Sequence, residues 1–113
     1  MQDHYYMLNN TRPVATNDVI EWGKWFETTD RKVAETKVIR PGKENLLVST
    51  VFLGIDYSLG QGSALELFET MIFVDNGDFQ DIYCQRSSTW TEAQTAHIMA
   101  VTEACNYKGE AVS

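Results

Sequence analysis

Two apolar segments, Leu46–Tyr57 (LLVSTVFLGIDY) and Leu67–Val74 (LFETMIFV), stand on either side of the glycine-rich stretch Leu59–Ser63. Neither has the run of about 20 apolar residues that crosses a bilayer, and both are rich in the β-branched and aromatic types that suit strands. They read as the two central strands of one small sheet. Around them, 113 residues with 43% apolar content form a single domain, residues 1–113, with one core.

The flanking segments fill in the rest. Tyr5–Leu8 has the makings of a short strand and Asn9–Pro13 those of a polar turn. Asn17 is expected to cap a helix over Asp18–Thr28, with Asp18 in the first turn, where the helix dipole favours a negative charge. Val19, Trp22 and Phe26 share one face of it; Trp25 sits at the edge of that stripe. Lys32–Arg40 alternates as a strand, and Pro41-Gly42 turns the chain. Leu46–Ile55 is apolar on both faces, the pattern of a central strand covered on both sides or lying near a subunit contact, which leaves a homo-oligomer open.

After Leu67–Val74, the run Asp75-Asn76-Gly77-Asp78 is a hairpin turn, because Asn-Gly tolerates positive φ, and Phe79–Gln85 returns as a strand. Thr89 and Glu92 have capping-box spacing. Ala93, Ala96, His97, Ala100, Val101 and Ala104 then recur at helical spacing, so a helix over Thr91–Asn106 lies close on the sheet through small side chains. Residues 107–113 are expected to fray. Short connections make the strands a meander. The expected fold is a two-layer α+β domain: a four-stranded antiparallel meander with two helices packed on one face. Its expected core holds Val19, Trp22, Phe26, Val51, Leu53, Phe68, Ile72, Ala96, Ala100 and Val101.

Nine Lys and Arg against sixteen Asp and Glu give a net charge of −7. Such a field repels a phosphate backbone, which argues against direct nucleic-acid binding and favours a protein partner with a basic surface. MQDHYYML lacks the basic start and apolar run of a secretory leader, so a cytoplasmic protein with no membrane association is expected. Cys84 and Cys105 make neither a disulfide framework nor a zinc site, and are expected as free, partly buried thiols.

Four polar residues could carry chemistry. Glu69 lies on an apolar strand, where it is either a site acid or a carboxylate on a partly solvated face or paired with Lys37, Arg40 or Arg86 on a neighbouring strand. His97 falls in the alanine stripe and faces the sheet, as a general base, a ligand contact or a core histidine. Asp56 and Tyr57 end the central strand, where the aspartate could simply cap a turn. Trp25 is a candidate interface anchor. The Gly60-Gln61-Gly62-Ser63 loop has no P-loop lysine, Ser49 and Ser63 lack a nucleophile elbow, and a lone acid with a lone histidine is no metal motif. No cofactor is indicated.

Several blocks carry a resemblance. Val48–Asp56 (VSTVFLGID), Leu67–Phe73 (LFETMIF), Ser88–Ala93 (STWTEA) with His97, and Trp22–Asp30 (WGKWFETTD) with Arg31 and Val33 are similar to a family of small bacteriophage and prophage proteins. That family has a VSTVFLG-x-D-H block; here Tyr57 stands where its histidine stands, which weakens any role for that position as an essential base. The resemblance supplies a phage context and no mechanism. Together with acidity and size, it makes the expected function that of a non-enzymatic phage accessory protein, acting in the host cytoplasm by binding and inhibiting a host protein, such as a nucleic-acid-guided nuclease. The alternatives are a binder of a nucleotide signal, using the Asp56–Ser63 loop with Arg31, Lys32, Arg40 or Arg86, and a small enzyme using Glu69 and His97. Some of Asp56, Tyr57, Glu69 and His97 are expected to cluster, in a small polar pocket between the last helix and the central strands with His97 bonded to Glu69 or Asp56.

Overall fold

A computed structural model describes residues 5–58, 64–76 and 81–108. The strands β1 (Tyr5–Asn9) and β2 (Arg12–Thr16) lead into α1 (Val19–Thr28); β3 (Lys32–Val38), β4 (Leu46–Phe52), β5 (Phe68–Val74) and β6 (Asp81–Ser87) follow, and α2 (Trp90–Asn106) ends the order. The last four strands form one antiparallel sheet in the order β3-β4-β5-β6, the expected meander, with helices on one face. The α+β class therefore holds.

Alternation decides which side chains that sheet buries. Leu46, Val48, Thr50 and Phe52 on β4 point to one face, opposite Val74, Ile72, Thr70 and Phe68 on β5, and all eight are at most 1% exposed. Helix α2 lies across them and seats Ala93, His97, Ala100 and Ala104, a stripe whose small side chains let the helix backbone approach. Thr89 caps it with the reciprocal Glu92 box read from the sequence. At its other end, Arg40 from the β3–β4 connection lies over the Tyr107 ring and donates to the Tyr107 carbonyl, while Lys43 Nζ donates to the Lys108 carbonyl. These cations meet the negative end of a helix with no basic residue in its last turn. Tyr107 and Lys108 are thus tied down rather than frayed; residues 109–113 lie outside the described residues.

The N-terminal third packs at the Phe52 end of the same face. Trp25 meets Phe52 edge-on, with ring centroids 5.9 Å apart. Trp22 Nε1 donates to both the Tyr6 and Gly54 carbonyls, at 3.1 and 3.0 Å, pinning α1 to β1 and to the end of β4. Gly54 is required there twice over: its φ is +76°, and an added Cβ would sit 3.1 Å from the Phe26 ring.

Several expectations need correction. The segment read as a polar turn instead continues as β2, which pairs with β1 through a tight turn where Asn10 takes a φ of 58°; Pro13 is tolerated because this strand has a free edge. The cap of α1 is Asp18, whose side chain accepts from the Glu21 amide, not Asn17. Val51 and Leu53 point away from α2 and are half-buried, while Val48, Thr50 and Phe52 take the core places. Val19 is 49% exposed. Trp22, Phe26, Ala96 and Val101 are half-buried; Phe68, Ile72 and Ala100 are buried as expected. The Asp75–Asp78 turn is described only at Asp75 and Asn76.

Candidate functional site

The expected bond of His97 to Glu69 or Asp56 does not form: the sheet stands between His97 and Glu69, and both ring nitrogens of His97 meet threonine hydroxyls. His97 is 6% exposed on the α2 side. Its Nε2 is 2.9 Å from Thr36 Oγ1, its Nδ1 is 2.8 Å from Thr50 Oγ1, and Thr50 Oγ1 is 2.8 Å from Thr70 Oγ1. A neutral imidazole donates from one nitrogen and accepts at the other, so hydroxyls that can do either satisfy it in both tautomers. Burial lowers its pKa below the ordinary histidine value, because the charged form loses its water. His97 is a core histidine holding β3, β4 and β5 to the helix.

Glu69 faces the other way. It sits on β5 opposite Val51 and Arg86, and Arg86 Nε donates to its carboxylate at 3.2 Å. The same guanidinium lies over the Tyr57 ring, 4.8 Å from its centroid. Glu69 and His97 are therefore on opposite faces of the sheet, and cannot act as one acid–base pair. Asp56 is buried at the end of the central strand and works as a turn cap. Its Oδ1 accepts from the Ser58 and Glu66 amides at 3.0 and 2.9 Å, and its Oδ2 accepts from the Ser58 hydroxyl at 2.9 Å. Trp25 is half-buried against Phe52 rather than presented as an anchor. Of the five singled-out residues, only Tyr57 and Glu69 come together, through Arg86.

That trio belongs to a larger feature. The second face of the sheet carries no helix among the described residues. Leu47, Ser49 and Val51 on β4 and Phe73, Met71 and Glu69 on β5 form its middle and are half-buried. The strands to either side carry charge in pairs: Lys32 with Glu35 at 2.9 Å, Lys37 with Asp75 at 3.2 Å, and Arg86 with Glu69. Cys84, on the same face, has its thiol pKa raised, first by burial and then by the Glu69 carboxylate 3.6 Å away. Both Cys84 and Cys105 are free and, contrary to expectation, exposed.

A different surface runs along the outer side of α2. A groove of about 550 Å³ separates it from the edge strand β6, lined by Tyr83, Gln85, Ser87, Thr91, Thr95 and Met99 among others. The buried Ser87 hydroxyl has no hydrogen-bond partner among the described residues. Met99, on its lining, stands 62% exposed, and the preceding Ile98 67%. The only charged residues of the helix are Glu92 and Glu103. Sequence patterning missed these two exposed apolar residues because it followed the buried stripe; the signal was their lying off it.

Among the described residues no three His, Cys, Asp or Glu side chains gather as a metal site, and no helix is long and apolar enough to cross a membrane. The Gly60–Ser63 loop lies outside the described residues. Compared with family models, curated proteins and solved structures, the chain matches none.

Proposed function

We propose that this chain is a phage-type accessory protein of the host cytoplasm that binds a host protein with a basic surface and blocks it without catalysis. A nucleic-acid-guided nuclease, whose working channel is basic, fits that description. The observation that carries the reading is the outer surface of α2: two adjacent, exposed apolar anchors, Ile98 and Met99, beside a groove and on a helix with acidic charges only. Long-range attraction from the acidic field speeds encounter, and a few large apolar side chains then supply affinity.

The two alternatives lose support from the same geometry. An enzyme using Glu69 and His97 would need them on one side of the sheet. A nucleotide sponge would need accessible, unmatched cations, but Lys32 pairs with Glu35, Arg86 pairs with Glu69, and Arg40 is buried against the Glu44 and Tyr107 carbonyls, which leaves Arg31 of the four.

The test is stoichiometric binding to a purified host guide-loaded nuclease, read as loss of its target binding. The complex is expected to weaken as salt rises, and the paired variant Ile98→Asp/Met99→Asp is expected to abolish it while leaving the thermal midpoint in place. Absence of binding at micromolar concentration, with nucleotide turnover that depends on Glu69, would overturn the reading.

A further inference from the structure

We infer that the face of the four-stranded sheet that no described helix covers is the contact surface of a homodimer, in which a second copy of this chain packs sheet against sheet. The proposal is independent of the α2 surface discussed above, which stays free on both copies.

Three observations carry it. The middle of the face is apolar, with Leu47, Val51, Met71 and Phe73 in register across β4 and β5. Sheets that present such a row bury it against another layer about 10 Å away. Here α2 has taken one face, α1 packs at the Phe52 end of that same face, and no described element is left for the other.

Size comes second. Four strands of seven residues span about 20 by 23 Å, on the order of 450 Å² in projection per copy. Accessible area exceeds projected area on a surface of side chains, so two copies reach the neighbourhood of the ~1,200 Å² at which stable interfaces begin.

Charge selects the occupant. Each cation on this face, Lys32, Lys37 and Arg86, is matched in place by Glu35, Asp75 or Glu69, so the net −7 of the chain is carried outside these pairs. Asp81, in register with Phe73 at the edge, adds one acid to these matched pairs, so the face is close to neutral, and a basic host protein gains least from docking on the least charged part of an acidic molecule. Two like-charged copies, by contrast, approach each other with least repulsion there. The ion pairs lie at the flanks, where they can stay hydrated around an apolar centre, the usual division between rim and core.

The salt dependence follows with the opposite sign to that of the host complex. Screening weakens repulsion between two copies of charge −7, so added salt strengthens the dimer. This difference keeps the two readings separable: either can fail while the other stands.

The experiment uses the whole chain in sedimentation equilibrium from low to high micromolar concentration and at two salt levels, with alkylation of Cys84 as a local probe and Cys105 on α2 as its internal control. The expected result is a species of twice the 12.9 kDa chain mass, favoured by salt, in which Cys84 alkylates at least ~5-fold more slowly than in dilute monomer and Cys105 is unchanged. Ser49→Arg, a long charge at the centre of the face whose head can reach water in the monomer, is expected to return the protein to monomer without changing its circular dichroism. Monomer throughout the range overturns the proposal. So does a dimer that survives Ser49→Arg with Cys84 unprotected, because its contact lies elsewhere, and so does protection of Cys84 that requires a host protein.

Discussion

The two faces of the β3-β6 sheet are built from the same strands and differ by one residue in phase, yet they solve opposite problems. On the α2 face, Val48, Thr50 and Phe52 are fully buried, and the polar atoms at its centre are satisfied by a hydroxyl–imidazole chain through Thr36, His97, Thr50 and Thr70. On the other face, Leu47, Ser49 and Val51 keep partial contact with water, and polar groups are satisfied by surface ion pairs. Burial makes an unpartnered group expensive on the first face, whereas water forgives it on the second. Equal substitutions on the two faces should therefore have unequal effects.

The largest contrast is expected between phenylalanines. Phe52→Ala removes a ring that is 0% exposed and packed against Phe68 and Trp25, and should cost about 3–5 kcal/mol in urea unfolding. Phe73→Ala, on the half-exposed face, should cost no more than about half of that under dilute conditions. Equal losses would mean that the second face is as dry as the first.

The polar networks give the next contrast. Thr50→Val keeps the shape but leaves His97 Nδ1 and Thr70 facing a methyl group, for a loss of about 1–3 kcal/mol. The pH dependence follows from the lowered pKa of His97. The unfolded chain protonates this residue near the ordinary value of about 6.5, the folded chain only at lower pH. Stability from this source is complete above that value, and is lost as pH falls through the interval between the two. Urea midpoints at pH 7.5 and 5 should separate in the parent protein and lose this component in His97→Gln. A pH slope unchanged by that substitution would remove His97 as its source.

The smallest effect belongs to the ion pairs. Arg86→Ala should cost less than about 1 kcal/mol in the monomer, since the Arg86 side chain is 34% exposed. Glu69→Gln should lower the Cys84 thiol pKa by removing the neighbouring negative charge, seen as alkylation setting in at lower pH. An unchanged onset would place Glu69 away from the thiol.

Much of this arrangement was legible in the residues. The meander followed from alternation and short connections, the α2 start from Thr89 and Glu92, and the inward orientation of His97 from its place in the alanine stripe. The phase of β4 was not legible, because both of its faces are apolar and only the seating of α2 decides between Val51 and Phe52. The partners of His97 could not be read either. Thr36, Thr50 and Thr70 come from three strands, and their meeting depends on register, which no local pattern encodes. Glu69 illustrates the reverse case: Arg86 was among the partners that chemistry required, and register selected it.

The separation of the two faces is most directly measured at neighbouring positions of one strand. Ser49→Cys and Thr50→Cys, each in a Cys84→Ser/Cys105→Ser background and at dilute concentration, would place a thiol on either side of β4. The account predicts that the thiol at position 49 reacts with a maleimide within about tenfold of the unfolded chain. The thiol at position 50 should react at least ~10³-fold more slowly, limited by opening of the core. Comparable rates at the two positions, or faster reaction at position 50, would contradict it.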